Sequence, residues 1–105
     1  MPFLNIDDLP EHERRPGWRG RHFDSASMTF GRWDFDAEAS IHEHSHPQEE
    51  VWHVLEGELE ITVDGVTVLA GAGGVAIVPP NAPHAVRATR DGRALVVDHP
   101  LRPVL

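Results

Sequence analysis

Hydrophobic and polar residues alternate in short runs along most of the chain, and turn residues separate the runs. In the clearest run, Leu59, Ile61 and Val63 alternate with polar residues, as in a strand with one buried face. Asp64-Gly65 follows it and predicts a hairpin turn, and Asp91-Gly92 gives a second hairpin signal. No longer window shows the 3.6-residue period of a helix. The pattern therefore predicts an all-β protein.

The N-terminal part of the chain differs from the rest in composition. Residues 1–24 are polar and rich in Pro, Gly and Arg, so we expect an irregular N-terminal arm there. Residues 25–105 carry many short strands with turn signals about every 8–12 residues, which is typical of a sandwich or barrel. A length of 105 residues fits one domain.

The composition excludes several kinds of chemistry. The chain has no Cys, so it has no disulfide, thiolate nucleophile or Cys-type zinc site. All 9 basic residues are Arg, and Tyr is absent, so neither Lys nor Tyr can act in a reaction. His, Asp and Glu remain as groups that can transfer protons.

The charge balance bears on partners and location. With 17 acidic and 9 basic residues, the net charge is −8, which argues against nucleic acid or an anionic membrane as a partner. No apolar run is long enough to span a membrane, and we see no signal peptide. We therefore expect a cytoplasmic protein.

Histidines are concentrated in one short stretch of the chain. His42, His44 and His46 alternate with other residues, so in a regular strand their imidazoles project from one face. Glu50 follows closely, and His84 begins a later strand. Such ligands suit Fe, Mn, Zn, Ni or Cu. On spacing alone, a solvent-facing polar strand is the alternative.

Two motifs give this chain a resemblance to the cupin superfamily. They are His44-x-His46-x₃-Glu50-x₆-Gly57 and Gly73-x₅-Pro79-x-Asn81-x₂-His84. The sequence departs from the usual pattern at three positions outside the ligand set, where the family commonly has Gly, Gly and Asn: Glu38, Asn81 and Ala88.

The resemblance implies a small antiparallel jelly-roll β-barrel around one divalent transition metal per chain. By the same resemblance, the metal ligands are His44, His46, Glu50 and His84. It further implies a homodimer that uses residues of the 1–35 region, because exposed sheet edges need protection.

Other side chains are expected near such a metal. If the alternation holds, His42 faces the same interior and is the candidate catalytic base. Trp52 is a candidate for lining the pocket, with core packing as the alternative. Trp33 and Phe35 are further candidates, although such residues more often lie in a core or an interface. Arg87 is a candidate for binding a substrate carboxylate.

The resemblance implies more than one class of function. One is an enzyme, a dioxygenase, isomerase or lyase, whose metal chelates an enol, diol or keto acid. Another is a domain that binds a sugar or other small ligand without turnover, and a third is a structural subunit. In the first two classes the partner is a small molecule.

Overall fold

The structure, a computed structural model, describes residues 3–103, so the ends of the predicted arm and barrel, 1–2 and 104–105, lie outside the described residues. A 3₁₀ turn at Ile6–Asp8 precedes eight strands in the described part. The strands are β1 (His12–Arg15), β2 (Trp18–Asp24), β3 (Thr29–Phe35), β4 (Ser40–His44), β5 (Glu49–Val63), β6 (Val66–Gly71), β7 (Val75–Val78) and β8 (His84–His99). The all-β prediction is confirmed. No helix among these residues is long and apolar enough to cross a membrane.

Two long strands form the centre of a single antiparallel sheet with the order β1-β2-β3-β8-β5-β6. β5 has 15 residues and β8 has 16, and they pair from Glu49↔His99 to Val63↔His84. β7 pairs with the first part of β5, and β4 pairs with the first part of β8. The pairing brings the start of β5 beside the end of β8, although register shifts interrupt it between Val54 and Leu59.

The irregular conformation expected for the N-terminal arm is wrong for residues 12–24, which form β1 and β2. β2 pairs with β3 along its whole length, from Trp18↔Phe35 to Asp24↔Thr29. Trp18 is buried, and its ring centroid lies 5.4 Å from that of Phe35. Burial of these rings outweighs the local Pro and Gly signals, and Gly17, with φ +82°, makes the turn before β2.

Of the two hairpin signals, one is confirmed and one is wrong. Asp64-Gly65 connects β5 to β6, with φ of 50° and 79°. Asp91-Gly92 makes no hairpin, because β8 continues through it. A Cβ atom on Gly92 would lie 2.1 Å from the carbonyl oxygen of Glu56, where the β5–β8 register is irregular. Gly92 thus permits a close strand approach instead of a turn.

The apolar core fills one part of the interior and leaves a polar layer at its margin. Trp18 makes edge-to-face contacts with Trp33 and Trp52, at centroid distances of 6.4 and 6.1 Å. Beyond this core, one inward-facing register row crosses the sheet through residues that are mostly polar. The row is Thr29, Asp98, Glu50 and Val78, and it continues into the exposed Asp24 at the end of β2. The pairing of the strands therefore brings polar residues from distant parts of the sequence together inside the barrel.

An apolar row crosses the opposite face of the sheet. We call it the outer row, and its members are Phe23, Phe30, Val97, Val51 and Ile77. The rings of Phe23 and Phe30 stack with centroids 4.9 Å apart, and Ile77 is 63% exposed. Five neighbouring strands thus present apolar side chains outward.

We predict that Gly57→Ala destabilises the protein more than Gly65→Ala. Both glycines have φ of +79°, so in both variants an alanine must adopt the left-handed conformation. This lowers the free energy of unfolding by about 1–2 kcal/mol. Only at Gly57 does the added Cβ meet the backbone, 2.3 Å from the Asp91 carbonyl oxygen, while Gly65 has no neighbour within 4 Å. Urea denaturation should show that Gly57→Ala lowers the free energy of unfolding by a further ~1–3 kcal/mol. Equal losses would contradict the close approach of β5 and β8.

Candidate metal centre

Three histidines from different parts of the chain meet at the polar end of the interior. His44 ends β4, His46 lies in the following loop, and His84 begins β8. The β4–β8 pairing sets His44 directly opposite His84, with ring centroids 4.3 Å apart, and those of His46 and His84 are 4.8 Å apart. Ligand atoms of the three residues lie within 4.8 Å of one another. This spacing allows three imidazoles to share one ion.

The backbone fixes the orientation of each of these rings. In every case Nδ1 bonds to the carbonyl oxygen of a residue two positions away. The acceptors are His42, at 2.8 Å from His44, Gln48, at 3.2 Å from His46, and Ala82, at 2.9 Å from His84. Because a carbonyl only accepts, Nδ1 carries a proton and donates it. Nε2 then has a free lone pair in the neutral ring, which is the form that binds metals.

The Nε2 atoms of His46 and His84 converge on a buried carboxylate. They lie 3.4 Å from Oε2 and Oε1 of Glu50, respectively. Both Nε2 atoms are buried, and neither has a hydrogen-bond partner among the described residues. Neutral lone pairs directed at a carboxylate are unfavourable unless a cation lies between them. The donor set therefore fits a metal ion held by imidazole nitrogens and Glu50.

Glu50 is 2% exposed and lies on the inner face of β5. Trp52 Nε1 donates to its Oε1 at 2.6 Å, and Arg102 Nη1 donates to its Oε2 at 3.0 Å. Burial opposes ionisation, but the adjacent side chains of His46 and His84, followed by Asp98 and Trp52, outweigh it and hold the pKa of Glu50 well below its usual range. Glu50 is therefore an anion at neutral pH, as a ligand for a divalent cation must be.

Asp98 lies directly opposite Glu50 in β8 and is 1% exposed. Burial, followed by the adjacent Glu50, raises the pKa of Asp98 to about 8, although Arg102 acts in the opposite direction. His46, Glu50 and Asp98 form a second group whose ligand atoms lie within 4.8 Å of one another. The sequence reasoning missed Asp98, whose only local signal is a charged residue at an inward position directly after the apolar run Ala94–Val97.

The predicted inward orientation of His42 is wrong, because the side chain is exposed. The alternation argument assumed a regular strand, but the pairing of β4 with β8 shifts register between Ile41 and His44. His42 contributes its backbone carbonyl, which holds the ring of His44. We therefore withdraw His42 as a catalytic base.

A small cavity of about 30 Å³ adjoins the cluster, and we call it the metal cavity. Trp33 and Trp52 line it. Phe35 does not, because it lies deeper in the core and is 1% exposed. Arg87 does not either, because it lies on the outer face and pairs with Glu38. Further lining residues that the sequence reasoning missed are Arg15, Ile41, Val96, Asp98 and Arg102.

Comparison with known proteins supplies the family. Residues 31–100 match the family model described as the cupin domain. The chain belongs to the cupin domain family. No curated protein matches it significantly in sequence.

Solved structures of cupins share this fold. An RmlC-like cupin from Shewanella frigidimarina aligns with a TM-score of 0.91 and 24% identity, over 98% of this chain and 94% of that one. KdgF from Halomonas sp. aligns with a TM-score of 0.90 and 18% identity, over 98% of this chain and 96% of that one. A predicted oxalate decarboxylase from Thermotoga maritima aligns with a TM-score of 0.84 and 19% identity, over 94% of this chain and 99% of that one. At these identities the likeness concerns the fold.

We predict that Trp52→Phe destabilises the protein more than Trp18→Phe. Both indoles are buried in the same core, so both variants lose similar packing. Only Trp52 Nε1 donates to the Glu50 carboxylate, whereas Trp18 Nε1 is buried without a partner among the described residues. The charge-assisted bond adds ~1.5–3 kcal/mol to the cost at Trp52. Urea denaturation measures the free energy of unfolding of both variants. Equal losses would show that the bond from Trp52 to Glu50 contributes nothing to stability.

Proposed function

We propose that this cupin holds one divalent transition metal through His44, His46, Glu50 and His84. The observation that carries the proposal is the pair of buried Nε2 atoms, on His46 and His84, that face Glu50 without hydrogen-bond partners. A cation among these atoms satisfies both lone pairs and the carboxylate together. The Nδ1 bonds to backbone carbonyls support the proposal, because they hold the rings in the ligating tautomer.

The donor set limits which metals fit. Imidazole nitrogens with one carboxylate suit Fe, Mn, Zn, Ni or Cu, whereas Ca²⁺ and Mg²⁺ prefer oxygen ligands. Three neutral imidazoles and one carboxylate leave a divalent ion with a net charge of +1. When bound, such an ion supplies Lewis-acid stabilisation of an anionic oxygen on a chelated molecule.

We further propose that the protein is an enzyme whose metal chelates a small enol, diol or keto acid, as a dioxygenase, isomerase or lyase. The metal cavity, at about 30 Å³, has room only for the chelating oxygen atoms. Arg15 and Arg102 line the cavity and can orient anionic oxygens of the substrate. Trp33 and Trp52 form an apolar wall that excludes water. The carboxyl group of Asp98 lines the same cavity and can hold a proton there. The description of the Thermotoga protein as a predicted oxalate decarboxylase is consistent with a small acid as substrate.

We predict that purified protein without an affinity tag contains about one equivalent of metal per chain, measured by elemental analysis. His84→Ala and His46→Ala should each reduce this close to zero, because each removes a ligand from a set of four. The matched control is His53→Ala, since His53 is exposed on β5 and faces away from the cluster. Full metal content in both ligand variants would overturn the proposed centre.

Asp98→Asn tests the alternative ligand group in the same measurement. If the ion is held by the four proposed ligands, this variant keeps its metal, and loss of metal would favour the group of His46, Glu50 and Asp98.

Turnover is then measured as O₂ uptake and ultraviolet absorbance with a panel of diols, diketones and keto acids. Metal-dependent turnover that is lost in His84→Ala supports the enzyme. Chelation without turnover across the panel would instead favour a domain that binds ligand without reacting it.

We also propose that the chain forms a homodimer through the 1–35 region and the outer sheet face. Phe23 and Phe30 of that region begin the outer row, which ends at the exposed Ile77. The row crosses five strands, a width of about 20 Å. This is of the same order as the width of a standard interface, which buries about 800 Å² per partner. A second copy of the same row is a self-complementary apolar partner.

Light scattering at micromolar concentration tests the homodimer. The wild-type chain should have the mass of two chains, and Ile77→Glu should have the mass of one, because it sets a charge in the apolar row. Leu101→Glu is the control, since Leu101 is an exposed apolar residue, at 38%, that lies outside both the outer row and the 1–35 region. A monomeric wild-type protein would reject the proposal.

A further inference from the structure

Residues 100–103 follow β8 and lie against the polar end of the barrel interior, and we call this segment the clasp. It belongs to none of the eight strands. Hydrogen bonds to three separate parts of the barrel hold it instead. The partners are Gln48 in the loop before β5, Thr29 at the start of β3 and Glu50 in β5. The clasp is therefore attached through side chains, where the rest of the barrel relies on strand pairing.

Gln48 connects the clasp to a proposed metal ligand. The residue is buried, and its Nε2 donates to the carbonyl oxygen of Leu101 at 3.1 Å. Its own carbonyl oxygen accepts the hydrogen bond from His46 Nδ1 at 3.2 Å. Gln48 thus holds the ring of His46 through its main chain and the clasp through its side chain. A substitution at Gln48 can remove the contact with the clasp and keep the contact with the ligand.

Arg102 connects the clasp to a second proposed ligand. Its Nη1 donates to Glu50 Oε2 at 3.0 Å and lies 3.7 Å from Asp98 Oδ2. Trp52 Nε1 donates to the other oxygen of Glu50, so the carboxylate is held at both of its oxygens. Because Arg102 also lines the metal cavity, its side chain forms part of the cavity wall while the clasp is closed.

Thr29 anchors the clasp on the side away from the proposed ligands. It is 3% exposed, and its Oγ1 accepts a hydrogen bond from the backbone N–H of Arg102 at 2.9 Å. The same hydroxyl donates to Asp24 Oδ1 at 2.8 Å. β8 lies between Thr29 and Glu50, which are therefore two strand spacings apart, or about 10 Å. This anchor can be changed without touching a proposed ligand.

The proposed ligand atoms are enclosed while the clasp is closed. The side chains of His46, His84 and Glu50 are all buried. The metal cavity beside them, at about 30 Å³, has room for roughly two water molecules, so an ion with its hydration shell does not fit. Some part of the barrel must move when a metal enters or leaves. Segments outside the strand ladder open at a lower free energy than core strands, and the clasp is such a segment.

We infer that the clasp closes the metal cavity and must open before the metal can leave. The inference rests on the proposed function, since it concerns how the four proposed ligands retain their ion. The rate of metal loss then depends on the fraction of molecules whose clasp is open. Weakening an anchor of the clasp raises that fraction, although no residue of the clasp is itself a ligand.

The test measures how fast zinc-loaded protein loses Zn²⁺ to an excess of a colorimetric chelator. Gln48→Ala removes the hydrogen bond to Leu101 and keeps the carbonyl group that holds His46. Thr29→Val removes the acceptor of the Arg102 N–H and keeps the shape of the side chain. Each variant should lose zinc about fivefold faster, the effect of one neutral hydrogen bond on the open fraction. A wild-type rate in either variant would overturn the inference.

Two control variants separate the clasp from general stability. Thr29→Ser keeps the hydroxyl group that anchors Arg102 and should release zinc at nearly the wild-type rate. Thr89→Ala removes a side-chain hydrogen bond to Glu58, outside the metal cavity, and should stay within about twofold of the wild-type rate. Zinc loss as fast in Thr89→Ala as in Gln48→Ala would show that overall stability, and not the clasp, governs release.

Amide hydrogen exchange of metal-free protein separates this inference from the proposed metal centre. The amide proton of Arg102 should be protected in the wild type and exchange about fivefold faster in Gln48→Ala, because the anchors of the clasp are present without metal. Normal zinc uptake with an unprotected Arg102 amide would reject the clasp alone. A protected amide in protein that takes up no zinc would reject the proposed centre, and with it the retention of metal, although the clasp still closes.

Discussion

The buried charge of Glu50 is the constraint on which the rest of the site depends. A carboxylate that is 2% exposed is unstable unless donors surround it. Trp52, two residues further along β5, and Arg102, in the C-terminal segment, donate hydrogen bonds to it. Arg102 is distant in sequence, and the pairing of β8 with β5 brings it to Glu50. The contacts that build the site are therefore also contacts that stabilise the closed fold.

Local signals in the sequence predicted the features that depend on neighbouring residues. The alternation along Leu59–Val63 and the turn at Asp64-Gly65 are both present, because a hairpin is determined by residues close in sequence. The two cupin motifs named the three histidines that the structure brings together around Glu50. The same reasoning failed for His42, where a shift of register breaks the alternation that it assumed.

Features that depend on long-range pairing could not be predicted in this way. Asp98 joins the site only because β8 pairs with β5 in a register that sets it opposite Glu50. Arg102 follows the last strand, in a segment whose composition suggests nothing but a tail. Gly92 was interpreted as a turn residue, but it permits close contact with the carbonyl of Glu56. In each case the decisive partner is distant in sequence.

The carbonyl groups that hold the three imidazoles belong to the main chain, so no side-chain substitution removes them. The direction of each ring follows from the path of the backbone and is independent of the residues that line the cavity. Trp33, Ile41 and Val96 could therefore be exchanged during evolution without turning a single imidazole. The side chains that line the cavity and the groups that orient the three imidazoles are thus different parts of the chain. The wall of the barrel can vary in sequence while the carbonyl groups that hold the rings stay in place.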